Sequence, residues 1–358
     1  MSNDNTTEVR KEEALPLDTL SPFLHKHGLI KDINSEIKTR RFAGGFSNLT
    51  YLLQVENKEY VLRRPPFGAP KRGHDMSREY KVLSKLYKEF NKIPEVYAYT
   101  NDESVIGSQF YIMEKVNGIL LDMDVVKEKN LQPDDYKTIA NTWLDTFVEL
   151  HNVDYKACGL EDLGKPEGYV ERQVFNWSQQ YEKAKTHDIP ESEKVMKWLH
   201  DNQPREYSSS LIHNDFKYNN MLYKDDTWKE ISTVLDWEMC TLGDPLMDLG
   251  TSLSYWLTES DLDVMKEQLP SPTVFEGNPN RLEIVEIYSK KSGRAINNLV
   301  FYYVYGLFKL AVIVQQIYYR FHKGHTSDPR FAQLDKQTQV LFTTAWQAIQ
   351  KNKIDNLF

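Results

Sequence analysis

One stretch constrains this chain more than any other: Leu211-Ile212-His213-Asn214-Asp215-Phe216-Lys217-Tyr218-Asn219-Asn220-Met221-Leu222. Apolar pairs bracket a polar loop. A second piece comes at Ser232-Thr233-Val234-Leu235-Asp236-Trp237-Glu238, where apolar and β-branched residues run into an acid. Both read as short buried strands with polar groups at their ends. Buried polar groups are costly unless paired or coordinated, so Asp215, Asn220 and Asp236 need partners. Mg²⁺ with nucleotide phosphates, held by a carboxylate and an amide oxygen, is one economical partner. Asp215 is then left to receive the proton of an attacking hydroxyl.

The spacing His-x-Asp-x-Lys-x-x-Asn with a downstream Asp resembles the catalytic loop of the protein-kinase-like superfamily. The run Leu235-Asp236-Trp237-Glu238, continued by Gly243-Asp244-Pro245-Leu246-Met247-Asp248-Leu249-Gly250, narrows the likeness. It resembles the aminoglycoside phosphotransferase and choline kinase branch, nearest to kinase-like domains found alone or fused to acyl-CoA dehydrogenases. The resemblance implies an α+β, two-lobed fold: an N-terminal five-stranded antiparallel sheet with a helix (residues 1–116) and a mainly helical C-terminal lobe (residues 117–358). It also implies ATP as co-substrate, Mg²⁺ held by Asn220 and Asp236, Asp215 as the acid facing the acceptor, Lys217 as a charge stabiliser and His213 as a brace for the loop.

At 358 residues the chain is too long for one small core. Its net charge of −8 has no sustained basic run to offset it, which argues against nucleic acid. Cys158 and Cys240 are the only cysteines, so no disulfide framework or zinc set is implied. The amino terminus lacks an apolar signal core. A reduced, cytoplasmic protein is expected. The apolar stretch from Leu299 to Phe321 carries Lys309 in its middle, which favours a buried helix over a membrane span.

In chain order, residues 1–14 are polar and expected to fray. Arg40 to Val55 reads as strand, glycine-rich turn, strand. Gly44 and Gly45 let backbone N–H groups approach phosphate, and Ser47 and Asn48 could add donors. A Gly-Gly hairpin is equally a structural turn, and position favours the phosphate loop. Arg63 stands at the end of the third strand, where the resemblance puts a lysine; Arg64 should face the other way. A helix capped by Asp75 or Ser77 should turn Tyr80, Leu83, Leu86 and Tyr87 inward and place Glu79 in its first turn, where it would hold Arg63. Glu114 to Gly118 resembles the hinge, with backbone groups of Glu114 and Val116 toward the adenine and Val61, Leu222 and Leu235 as apolar walls. Helical periodicity begins at Pro133 and dominates the remainder of the chain.

The short interval from Asp236 to Asp248 leaves little room for a peptide platform, so the acceptor is expected to be a small molecule. The resemblance points to the hydroxyl of a hydroxyacyl-CoA or of an aminoglycoside-like compound. Arg172, Lys309 and Arg320 read either as cations for an anionic acceptor or as helix-surface cations. A different class stays open: a nucleotide-binding regulatory module without transfer. Intact Asp215, Asn220 and Asp236 favour the enzyme, while Arg63 in place of lysine leaves room for the module.

Overall fold

The computed structural model describes residues 6–42, 48–66, 75–326 and 328–358. The chain divides into two compact units. One is Met1–Asn117 with Ser232–Cys240; the other is Gly118–Ile231 with Thr241–Phe358.

The first unit is built on an antiparallel sheet of six strands: β1 (Thr6–Thr7), β2 (Lys38–Phe42), β3 (Leu49–Val55), β4 (Lys58–Arg64), β5 (Val96–Thr100) and β6 (Phe110–Glu114), in the order β1-β2-β3-β4-β6-β5. Strand β1 is the addition to the expected five. From Thr6 onward the polar amino-terminal segment is pinned, where fraying was expected; residues 1–5 lie outside the described residues. Arg40 donates to Thr6 Oγ1 (2.8 Å), Arg41 pairs with Glu13 (2.7 Å) and Tyr51 OH donates to the Glu13 carbonyl (2.9 Å). The β3–β4 hairpin turns at Glu56 and Asn57, both at positive φ (50° and 60°), which matches a two-residue turn of the primed kind. That turn fixes the register Leu49↔Arg64, Thr50↔Arg63. Strand alternation then sends Arg64 to the face of Tyr60 and Leu62 and Arg63 to the face of Val61.

Arg64 is buried among apolar side chains, with Nη1 on the Ile106 carbonyl at 3.0 Å. Burial rules out a solvated edge position for it. On the other face packs the helix Met76–Leu86, which Asp75 caps by accepting from Ser77 N and Arg78 N. Its inward stripe is Met76, Glu79, Val82, Leu83 and Leu86, so the expected Tyr80 and Tyr87 lie off it. The stripe is rotated because Glu79, a polar residue, goes inward to meet a cation.

The segment Ser232–Cys240 was expected with residues 117–358 but groups with the first unit. Val234 N donates to Lys92 O (2.8 Å), buried Trp237 packs edge-on to Phe90, and Arg78 Nη2 donates to Cys240 O (2.9 Å). Two aromatic rings and two backbone-directed bonds outweigh chain order.

The second unit is mainly helical. Helices Pro133–His151 and Arg281–Ser292 match the periodicity, and Met123–Lys129 and Asp263–Gln268 are short additions. Two small ladders, Ile119–Leu120 with Met221–Tyr223 and Ser210–Ile212 with Thr241–Gly243, hold the polar loop between them. The central helix is Leu299–His322. Among the described residues it alone is long and apolar enough to cross a membrane, yet 78% of its apolar window is buried inside the protein. It packs on Pro245–Tyr255, Leu334–Lys351 and Tyr169–Ala184. Gly250 and Gly306 set the first contact: a Cβ on either would fall 2.0 Å from a carbonyl oxygen of the facing helix. The backbones touch there, and helix Pro245–Tyr255 carries Asp248 next to the polar loop.

Candidate active site

Candidate residues fall in both units. In the second, the chain leaves strand Ser210–Ile212 and bends at Asn214, which adopts the left-handed conformation (φ 68°). Asp248, fully buried, accepts both amides at the bend, His213 N at 2.6 Å and Asn214 N at 2.8 Å. Burial alone would raise the Asp248 carboxyl, but His151 and the His213 amide outweigh it and hold it below its ordinary range. Burial also lowers His151. A neutral ring then donates from Nε2 to Asp248 (3.2 Å) and accepts the Tyr288 hydroxyl at Nδ1 (2.7 Å). His213, also fully buried, accepts the Asp215 amide at Nδ1 (3.2 Å), a contact to backbone.

Lys309 completes the cradle. It lies 2% exposed in the central helix and donates to Asn214 O (2.9 Å) and Asn214 Oδ1 (3.2 Å), with Nζ 5.9 Å from the Trp177 ring centre. Burial pushes its ammonium down to about 8, against the pull of Asp248 and Asp215. Neither expectation for Lys309, an anionic-acceptor contact or a helix-surface cation, matches its place: it is buried, and it donates to the carbonyl and the side-chain oxygen of Asn214. The sequence signal was present, because a lysine inside an apolar helix needs a buried acceptor. Arg172 is likewise committed, to the carbonyls of Lys165 and Glu167. Arg320 is exposed near the end of the central helix.

On this cradle stand Asp215, Lys217 and Asn220. Lys217 Nζ lies 2.9 Å from Asp215 Oδ2, and Asn220 Nδ2 donates to the same oxygen at 2.8 Å and to the Asp215 carbonyl at 2.8 Å. Burial would raise the Asp215 carboxyl, yet Lys217 and Asn220 together bring it below its usual value. With Nδ2 committed, the Asn220 oxygen is the atom left to meet a cation. Leu222 follows in strand Met221–Tyr223, half-buried.

In the first unit the centre is Arg63. Its Nη1 lies 3.3 Å from Glu79 Oε1, and its Nη2 lies 2.6 Å from Asp236 Oδ1 and 3.5 Å from Glu238 Oε2. Burial opposes the charge, but Glu79, Tyr111 and the two further acids outweigh it and hold the guanidinium well above its ordinary range. Burial pushes Glu79 up, with Arg63 opposing. Asp236 is left-handed (φ 67°, ψ 61°), a strained conformation of the kind that persists where surroundings over-determine it. Asn48 Nδ2 donates to Glu238 Oε2 at 2.8 Å, so Asn48 holds an acid where a phosphate donor was expected. Val61 is buried, and Val116 and Leu235 are half-buried. The Glu114 amide is taken by Glu95 O (2.8 Å), so a base edge would meet its carbonyl. Gly44, Gly45 and Ser47 lie outside the described residues.

The donors fit Mg²⁺ chemically. Among the described residues no three of His, Cys, Asp and Glu gather as a metal site. Mg²⁺ asks for less than that, one or two protein oxygens with phosphates and water completing its shell. Asp236 offers a carboxylate and Asn220 an amide oxygen, both hard donors.

Residues 38–270 match the model of the phosphotransferase enzyme family. The chain belongs to that family. A crystal structure from Ralstonia eutropha, classed with the aminoglycoside phosphotransferases, superposes with a TM-score of 0.80 at 28% identity, covering 94% of this chain and 99% of that one. Choline kinase from Cryptosporidium parvum shares the fold alone, at TM-score 0.63 and 12% identity over 94% and 97% of the two chains. By sequence the chain is 31% identical to mouse acyl-CoA dehydrogenase family member 10 over 97% of its length and 32% of the relative's. It is also 31% identical to chicken acyl-CoA dehydrogenase family member 11, over 99% of this chain and 47% of the relative. The chain thus spans a third to a half of these relatives. Membership of this family supports kinase activity toward a small molecule.

Proposed function

We propose that this chain transfers the γ-phosphate of ATP to the hydroxyl of a small molecule. The observation that supports the reading is the geometry at Asp215, where Lys217 and Asn220 both hold Oδ2; Oδ1 is proposed to face the acceptor. The acceptor hydroxyl gives its proton to Asp215 as its oxygen attacks the γ-phosphorus. The bond from that phosphorus to the β–γ bridging oxygen breaks, and ADP leaves. Lys217 stabilises charge developing on the transferred group, the electrostatic contribution that dominates such reactions. Asn220 and Asp236 are the residues proposed to hold Mg²⁺, which when bound supplies charge neutralisation of the phosphates. Arg63 is proposed as the phosphate-facing cation.

For the acceptor we propose a hydroxyacyl-CoA in preference to an aminoglycoside, because the relatives at 31% identity carry acyl-CoA dehydrogenase names. A second reading, nucleotide binding without transfer, is favoured by one contact: Arg63 Nη2 on Asp236 Oδ1 at 2.6 Å sets the phosphate cation against the metal acid. Purified protein assayed for ATP consumption with hydroxyacyl-CoAs and with kanamycin separates the readings. Turnover with the CoA esters is expected; MgATP binding with no turnover of any acceptor would sink the kinase.

A further inference from the structure

No step of the proposed reaction uses His151, Tyr288 or Arg294, yet within the second unit these three form one chain that ends on the catalytic loop. Arg294 is half-buried and follows helix Arg281–Ser292. It reaches the end of helix Pro133–His151, where Nη2 donates to the His151 carbonyl at 2.8 Å and Nη1 to Asn152 Oδ1 at 2.9 Å. Burial raises the Tyr288 hydroxyl, and the same guanidinium opposes that rise by its charge and as a hydrogen-bond donor. Tyr288 OH lies 2.7 Å from His151 Nδ1, and His151 Nε2 lies 3.2 Å from Asp248 Oδ2. That carboxylate oxygen also takes the His213 amide at 2.6 Å, and Oδ1 takes the Asn214 amide at 2.8 Å.

The two ends of this chain permit one direction only. An ionised carboxylate accepts and an arginine donates, and neither can reverse. His151 Nε2 must then carry the proton and Nδ1 must accept, while the Tyr288 hydroxyl turns its hydrogen to the ring and its lone pairs to Arg294. We propose that Arg294 and Tyr288 are positioning residues that lock His151 in this neutral tautomer, so that Asp248 keeps its hold on the two loop amides that precede Asp215. The tautomer of an imidazole is set by the bond its other nitrogen makes. Once the donor-only arginine is gone, the Tyr288 hydroxyl can turn round and accept from Nδ1–H, and the ring can take a second proton. A charged His151 then competes with the His213 amide for Asp248 Oδ2, because a charge-assisted hydrogen bond is roughly twice as strong as a neutral one. The charged and titratable groups facing the ring are Asp248, which favours its charge, and Arg294 and His213, which oppose it. Phe147, with its ring centre 4.3 Å from that of His151, adds no charge.

The test uses the full chain labelled with nitrogen-15 histidine, whose long-range proton–nitrogen spectra report the tautomer; the His151 signals are assigned by their loss in His151→Gln. Wild type should show the Nε2–H form and no titration from about pH 6 to 8. Arg294→Gln, which can accept as well as donate, should bring a titration into that range. Arg294→Lys, which can only donate, should restore the wild-type spectrum. In Arg294→Gln, kcat for MgATP turnover with a hydroxyacyl-CoA should fall relative to wild type as pH drops through the new titration. The loss should reach roughly tenfold, as it should in Tyr288→Phe, since misplacing a catalytic group by about 1 Å costs on the order of 10²-fold. MgATP affinity should not change. A His151 that titrates in wild type, or spectra of Arg294→Gln that match wild type while only the melting temperature falls, overturns the assignment. So does an altered His151 with kcat unchanged. The turnover arm rests on the kinase reading and the spectra do not: no turnover in wild type, with the expected spectra, refutes that reading and leaves the lock on His151 standing.

Discussion

Replacing Lys309 by Met should separate catalysis from stability. The ammonium is held at about 8 against an ordinary 10.5, so keeping it charged at pH 7 costs roughly 3 kcal/mol. Met removes that penalty and fills similar space. It also takes the donor away from Asn214 O and Oδ1, and a buried acceptor left unpaired costs about 1–3 kcal/mol. The two effects nearly cancel, so the melting temperature at pH 7 should move by only a few degrees. Asn214 immediately precedes Asp215, and loss of its tether frees the loop to shift. A misplacement of about 1 Å can reduce turnover on the order of 10²-fold. The expected result is kcat down by about ten- to a hundredfold with MgATP affinity unchanged, read by coupled ATP turnover and calorimetry.

The pH dependence has a definite sign. The folded-state value lies below the unfolded one, so between about 8 and 10.5 the unfolded chain binds the extra proton and the contribution of Lys309 to stability rises with pH. Lys309→Met should flatten that rise. The charged groups acting on Lys309 are Asp248 and Asp215, which favour its charge, and Lys217, which opposes it. Unchanged kcat in Lys309→Met would refute the cradle argument. So would a parallel loss of kcat and nucleotide affinity.

The remaining substitutions probe other parts of the site. Asp215→Asn should leave MgATP binding nearly intact while turnover falls on the order of 10²–10⁴-fold, whereas Asp236→Asn should weaken MgATP binding itself; equal loss of binding in both would mean the roles are misassigned. Arg63→Ala should weaken MgATP binding by roughly 1.5–3 kcal/mol, while Arg64→Ala should lower the melting temperature through the orphaned Ile106 carbonyl with little effect on nucleotide; unchanged affinity in Arg63→Ala would remove it from the site. Asp244 is raised to about 6 by burial, so between about 3.8 and 6 the folded state binds the extra proton and this group's contribution falls as pH rises; Asp244→Asn should gain stability relative to wild type from acid to neutral pH, and a relative loss over that range would contradict it.

The elements that could be read from sequence are those in which one local rule governs. Pro133–His151 has Pro at its first turn and a helical apolar period, and its bounds come from them. The hairpin and the opposite facing of Arg63 and Arg64 come from strand alternation. The features that were not legible depend on long-range partners. Lys309 lies far along the chain from Asn214, and nothing local tells which buried acceptor it has. Glu238 carries no local signal, because its meaning comes from Asn48 and Arg63, both distant in sequence. The inward rotation of helix Met76–Leu86 is hidden for the same reason, since hydropathy places Tyr80 on the apolar stripe and only the ion pair places Glu79 there.

Arginine at position 63 changes shape more than charge. A lysine ammonium is a point donor, whereas the guanidinium fork gives one nitrogen to Glu79 and the other to Asp236. The two arms are not equivalent. The Glu79 side chain is 2% exposed and the Asp236 side chain 33%, so the first pair acts through a lower effective dielectric and is screened less. Exchange with an incoming ligand should therefore take place on the Asp236 arm, while the Glu79 arm keeps the strand and helix in register. Three carboxylates around one guanidinium leave local charge in excess by two negatives, an arrangement that attracts a divalent cation and repels a bare phosphate. Nucleotide should accordingly bind with its cation, and the affinity of Arg63 variants should be compared at fixed Mg²⁺. If ATP alone bound as tightly as MgATP, this charge balance among Arg63, Asp236 and Glu238 would be wrong.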